Sequence, residues 1–247
     1  MPPDHEQREA LRAPPARPFV MHQRWGNLLF LHWSFDPKVI QATLPAGLQV
    51  DTFEGRAWVG VVPFEMRGIR PRFCPPVPGV SDFLEMNLRT YVHDSNGAPG
   101  VWFYSLDCDQ LLAVRVARAF FHLPYHHARM SLKKSAEGML RYRSQRRSDD
   151  HESAIDYRLG TTVRHARRDT LEYFLAERYL LYALAPSGLH TGRVHHAPYP
   201  LVNAEVAEWD TRLFALAGLP EPARAPEHVL GSPGVKVRVW ALEKTGL

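Results

Sequence analysis

Residues 82–92 read DFLEMNLRTYV. The stretch alternates with a period of two, the mark of a strand with two unlike faces. Leu84, Met86, Leu88 and Val92 fall on one face and require an apolar core. Phe83, Glu85, Asn87, Arg89 and Tyr91 fall on the other, where a carboxylate, an amide, a guanidinium and a phenol stand in file. Such a file is either a solvated sheet edge or the lining of a polar cavity. The period alone does not separate the two.

Upstream, WGNLLFLHWSF (residues 25–35) predicts an aromatic-rich strand. Asp36 then caps a short helix with Pro37 at its first position, and residues 44–47 end it. A hairpin turning at Glu54-Gly55 follows, and Pro63 in its second strand marks a sheet edge or a bulge. Four prolines within residues 70–79 predict an irregular loop.

Downstream, a turn over residues 95–100 leads into a strand over 101–107. The spacing predicts a helix over 109–121, capped by Asp109, with Leu112, Val116, Ala119 and Phe120 as its apolar face. Strands are expected over 125–134 and 139–146. A second helix opens at Asp169 or Thr170, with Leu171, Phe174, Leu175 and Tyr179 inward. The remainder alternates again. About ten strands and three or four short helices result, without the βα alternation that builds a parallel sheet. The expected class is α+β, one antiparallel β-rich barrel or cone over residues 18–247, preceded by a disordered lead-in over 1–17.

The chain has 247 residues, 45% of them apolar, which suffices for a large core without staples. Its two cysteines, Cys74 and Cys108, provide neither a disulfide framework nor a zinc knuckle, so a reducing cytoplasm fits best. No apolar run is long enough for a membrane span. The net charge of +4 permits nucleic-acid binding without demanding it. The densest basic cluster, RYRSQRR (residues 141–147), is followed by Asp149, Asp150 and Glu152, which blunt its field. It reads as a solvated hairpin rather than a phosphate-binding patch.

The segments at residues 30–64, 83–92 (FLEMNLRTYV), 100–107 (GVWFYSLD) and 123–130 (LPYHHARM) resemble the YqjF-like family, a bacterial domain of unknown function. A second resemblance is to acetoacetate decarboxylase and its relatives, and it implies a β-barrel cone with the active site inside. Their N-terminal helix-and-turn segment is similar to DPKVIQATLPAGLQVD, ending here in Asp51. Their strand carrying an active-site glutamate is similar to Phe83-Leu84-Glu85. Their helix end followed by Pro-Lys-Lys is similar to Arg118 and then Pro124-Tyr125-His126. In those enzymes the first lysine forms a Schiff base with the substrate ketone. Here the two lysine positions hold Tyr125 and His126, and no lysine lies between Lys38 and Lys133. The Schiff-base mechanism is therefore not expected. The family's N-terminal arginine has Arg24 as its nearest counterpart.

With the resemblance added, the candidate catalytic residues are Glu85, Tyr125 and His127, since a Glu/Tyr/His set suits proton transfer near neutral pH. Arg89, Asn87, Arg118 and His126 are the candidate substrate-binding residues, with an arginine fork to hold a carboxylate. The structural alternative is a buried Glu85–Arg89 pair that merely fixes the barrel. Among the 13 histidines, His122 and His126 stand four apart, but Leu123-Pro124 breaks any helix between them, so no metal site is expected. Neither Ser105 nor Cys108 lies in a nucleophile elbow, and no Gly-rich phosphate loop occurs. No cofactor is expected. The expected partner is a small anionic molecule rather than nucleic acid or a membrane, and self-association stays open. The favoured function is an enzyme acting on a small keto- or hydroxy-carboxylate without Schiff-base chemistry. The alternative is a non-catalytic small-molecule binder or sensor.

Overall fold

The computed structural model describes residues 2–245. In chain order the first elements are α1 (His5–Ala10), β1 (Met21–Phe35), α2 (Pro37–Gln41), β2 (Gln49–Val50), β3 (Ala57–Pro71), β4 (Phe83–His93), β5 (Pro99–Cys108), α3 (Leu111–Phe121) and β6 (Tyr125–Lys134). There follow β7 (Leu140–Arg146), β8 (Ser153–Leu159), α4 (Leu171–Ala176), β9 (Leu180–Ala185), β10 (Gly188–His196), β11 (Ala204–Glu208), α5 (Arg212–Leu216), β12 (His228–Val239) and β13 (Glu243–Lys244). None of these helices is long and apolar enough to cross a membrane.

The strands run in the order β5-β9-β10-β12-β1-β3-β4, and β4 pairs again with β5, so the sheet closes into a ring. An arm, β6-β7-β8-β11, leaves the ring from β5. β5 carries β4 along one edge and divides its other edge. β9 pairs at Val101 and Trp102, and β6 pairs from Leu106 to Cys108. Both of those pairings are parallel, where the sequence suggested antiparallel strands throughout. For β6 the reason is α3, which carries the chain back across the sheet so that β6 restarts in the direction of β5.

Two cores sit on opposite sides of the ring wall. In β1, Leu28 and Phe30 enter the core inside the ring. Leu29, Leu31 and Trp33 enter a second core outside it, completed by Tyr142, Ile155 and Tyr157 of the arm. β4 behaves alike: Met86 and Leu88 join the outer core, while Phe83, Glu85, Asn87 and Arg89 point into the lumen. Strands buried on both faces explain the near-continuous apolar runs in β1 and β3. Pro63 lies within β3, opposite Met86 on one side. On its other side it faces the irregularity between Gly26 and Leu31 of β1, where no ladder bond is required of it.

Two local expectations change. α3 is capped by Gln110, not Asp109, because the Asp109 carboxylate instead accepts from the Leu84 N–H at 2.9 Å. The helix is also rotated: Ala113, Val114, Ala117 and Phe121 face the core, while Leu112 and Phe120 stay 51% and 71% exposed. Both stripes have helical spacing, and the small pair Ala113 and Ala117 lets the helix settle closer to the ring.

The segment expected to be a disordered lead-in carries α1, closed by a capping box between Asp4 and Gln7. Arg8 forks onto the buried Asp51 carboxylate at 2.8 and 2.9 Å, and Arg178 reaches the same carboxylate at 2.8 Å. Arg193 and Trp240 hold the backbone of Leu11 and Arg17. Burial alone would raise the Asp51 pKa, but Arg178 and Arg8 outweigh it and hold the carboxyl below its usual range. Its stabilising contribution is thus present above the unfolded pKa and lost as the pH falls through the depressed one. Asp51→Ala strands the buried Arg178 and is expected to cost about 3–5 kcal/mol in urea unfolding. Arg8→Ala, which leaves the Asp51–Arg178 pair intact, should cost clearly less.

Candidate functional site

The ring encloses a cavity with about 150 Å³ open to the centres of water molecules. Its wall is chiefly apolar, with Trp25, Phe64 and Phe103 from the strands and Ala113, Ala117 and Phe121 from α3. Into this wall project a few polar groups: Glu85, Asn87 and Arg89 from β4, Tyr125 from β6, and Arg178 just beyond α4. An apolar pocket with a few convergent polar groups is the usual form of a small-molecule site.

At one end the Tyr125 hydroxyl donates to Glu85 Oε2 at 2.6 Å. The Asn87 amide lies 3.5 Å from the other carboxylate oxygen, and its own oxygen lacks a partner. Backbone contacts fix the pair. Tyr142 donates to the Glu85 carbonyl at 2.9 Å, and Arg118 Nε donates to the Tyr125 carbonyl at 2.7 Å. Burial pushes the Glu85 pKa from 4.5 up to about 7; the Tyr125 and Asn87 hydrogen bonds restrain the rise, and the charge of Asp107 adds to it. Burial, together with the Glu85 charge, drives the Tyr125 phenol well above its ordinary value. Near neutral pH the carboxyl is thus divided between its two forms while the phenol stays protonated.

The Arg89 and Arg178 guanidiniums also reach the lumen. Arg89 is buried and donates to the Leu175 carbonyl at 3.2 Å and to Tyr91 at 3.4 Å. It lies 5.6 Å from the centroids of both the Phe30 and the Tyr91 rings. Its Nε has no partner, and among the described residues no carboxylate pairs with it. Arg178 is satisfied by Asp51 and the Phe174 carbonyl, with one terminal nitrogen left over. Glu85 and Arg89 therefore do not form the structural ion pair that was the alternative reading of this strand.

Other sequence candidates lie elsewhere. His127 does not line the cavity, although β6 still pairs there with Cys108 of β5 and joins β7 only from Ala128 onward. His126 is half-buried outside the cavity, with its pKa lowered to about 4 by burial and by Arg146 and Arg118. Arg118 lines a separate surface pocket and donates to the Tyr125 carbonyl. Arg24 lies on the ring's outer surface. Two lining residues that the sequence reading missed are Arg178 and Tyr199. Arg178 is 127 residues from its partner Asp51, beyond the reach of any spacing rule. Among the described residues no group of three or more His, Cys, Asp or Glu is arranged to hold a metal ion.

Structural comparison finds this architecture among the acetoacetate decarboxylases. The enzyme from Legionella pneumophila superposes with a TM-score of 0.62 at 14% identity, covering 95% of this chain and 92% of that one. The enduracididine biosynthesis enzyme MppR in complex with pyruvate gives 0.57 at 14% identity over 93% and 89%. An acetoacetate decarboxylase-like enzyme from Sphingomonas wittichii gives 0.57 at 15% over 93% and 94%. At such identities the likeness establishes the fold alone. In sequence, the uncharacterized protein YqjF of Bacillus subtilis is 42% identical over 189 residues, 76% of this chain and 77% of that one. With residues 22–236 matching its model, the chain belongs to the domain of unknown function 2071 (DUF2071) family, described as an uncharacterized conserved protein.

Proposed function

We propose that the cavity takes a small 2-keto-carboxylate and moves a proton on it, with Glu85 as base and acid. The observation that carries this reading is a division of charge within one apolar chamber. A carboxyl titrating near pH 7 contacts a phenol at one end, and a buried arginine without a carboxylate partner stands along the same strand. An unpaired buried cation is costly, and an anionic ligand would relieve that cost. The pyruvate complex of MppR supplies the ligand class by analogy.

In the proposed reaction, Arg89 holds the substrate carboxylate and orients the adjacent carbonyl toward Tyr125. Ionised Glu85 takes the proton from the carbon beyond the carbonyl. The C–H bond breaks, an O–H bond forms on Glu85, and the electron pair moves to the carbonyl oxygen. The Tyr125 hydroxyl then donates to that oxygen as charge develops on it. Return of the proton from Glu85 completes an enolisation. The chain's five lysines are Lys38, Lys133, Lys134, Lys236 and Lys244, and none lines the cavity, so no imine takes part.

Deuterium exchange into pyruvate and related 2-keto acids, followed by proton NMR, tests the reading. Wild type should exchange the protons beside the ketone, and Glu85→Gln should lose about 100-fold or more of that rate. Arg89→Met should weaken carboxylate binding by about tenfold or more. Binding without exchange in the wild type would instead make the protein a carrier or sensor.

Borohydride added with pyruvate or acetoacetate should leave no covalent adduct on any lysine. An adduct visible by mass spectrometry would overturn the imine-free mechanism.

The pH dependence has a definite sign. Glu85 binds its proton more tightly in the folded than in the unfolded chain, so its contribution to stability is fully present below about pH 4.5 and lost as the pH climbs through about 7. The loss is about 3 kcal/mol. Glu85→Gln cannot ionise, so its stability relative to wild type should rise between pH 5 and pH 8 in parallel urea titrations.

A further inference from the structure

The outer surface of the ring carries a second feature, on the opposite side of the sheet from the cavity. In β1, His22 and Arg24 alternate with the cavity-facing Met21, Gln23 and Trp25. In β12, Lys236 and Arg238 alternate with the buried Val235, Val237 and Val239. The strand register aligns these side chains. His195, Arg238, His22 and Arg70 stand opposite one another across β10, β12, β1 and β3. Lys236, Arg24 and Arg67 form a second row two residues along β12 and β1. Neighbours within a row are about 5 Å apart and the rows about 7 Å.

The second row depends on an irregularity. Arg67 and Arg70 are three residues apart and would face opposite sides of a regular strand. A bulge in β3 at Gly68, with φ of +58°, adds one residue there and turns both arginines outward. The loops at Pro76 and at Pro198 and Pro200 wall the face into a cleft of about 1060 Å³.

Like charges set directly across a sheet repel. Elsewhere in this chain arginines meet acids, as in Arg143 with Asp156, Arg146 with Asp107 and Arg212 with Asp149. Among the described residues, Arg67 alone does so in the cleft, with Glu65. His22 and His195 sit below their ordinary pKa through burial first and then through the neighbouring arginines, a sign of the local positive field.

We propose that this cleft binds a small polyphosphorylated molecule. Guanidinium forks on separate strands suit phosphate oxygens, and two rows of them suit a ligand with more than one phosphate. The walls favour a compact ligand over a long polymer. Calorimetric titration at low salt with inorganic tripolyphosphate tests this. Wild type should bind it, and added salt should weaken binding. The double variant Arg24→Gln with Lys236→Gln should lose about tenfold or more in affinity. Its melting temperature should not fall, because the removed charges repel their neighbours. Arg70→Gln provides an independent check should the double variant fold poorly. Glu85→Gln, altered inside the ring, should bind tripolyphosphate like wild type. The proposal fails if millimolar tripolyphosphate does not bind, if the cleft variants bind it unchanged, or if Glu85→Gln abolishes binding and so places the anion in the cavity. Tighter binding of single-stranded DNA than of tripolyphosphate would also overturn it, in favour of a nucleic-acid surface.

Discussion

The antiparallel ladder between β4 and β5 is the constraint on which the candidate site depends. It runs from Glu85 opposite Cys108 to His93 opposite Pro99 and closes the ring. β5 then fixes β6 by pairing Leu106 with Tyr125. Two ladders in succession thus bring together Glu85 and Tyr125, which are 40 residues apart in sequence. Neither side chain is positioned by a flexible loop. Precision of this kind is what a proton-transfer pair requires, since the heavy atoms must meet within hydrogen-bond reach.

Buried charge is handled in contrasting ways inside this protein. At Asp51 one carboxylate is compensated by two guanidiniums, and α1 is tied down in the process. At Asp107 a single arginine, Arg146, is the partner, and burial still outweighs it and raises the pKa to about 6. At Glu85 no cation is supplied, and burial raises the pKa until the group is neutral for much of its time near pH 7. At Arg89 no anion is supplied, and aromatic faces with a carbonyl stand in its place. The first two arrangements hold the fold together. The last two leave charge to be completed by something else, and they share one chamber.

How much of this was legible in the sequence follows from how local each signal is. The period of two over residues 82–92 identified both faces of β4, and Asp36-Pro37 gave the start of α2 correctly. Alternation and the family resemblance pointed to the same positions, Glu85, Asn87, Arg89 and Tyr125, and all four line the cavity. His127 lies outside the cavity lining although it shares its alternation with Tyr125 and still pairs with β5 at Cys108, so alternation alone did not place it. α3 carried two stripes of equal spacing, and only the ring's surface decides between them. The N-terminal segment is polar and Pro-rich, yet Arg8 finds a buried carboxylate 43 residues away. Composition registers the polarity but not the distant partner.

The same distinction bears on Tyr125, one of the two positions where this chain departs from the lysines of the decarboxylase pattern. There a lysine follows the proline, and an ammonium beside a carboxylate favours the ionised acid. Here Tyr125 occupies that position and offers a neutral hydroxyl, which donates one hydrogen bond to Glu85 but no charge. A hydrogen bond offsets only part of the desolvation cost, whereas a cation would offset far more. With no cation beside it, Glu85 keeps a carboxyl whose pKa burial raises to about 7.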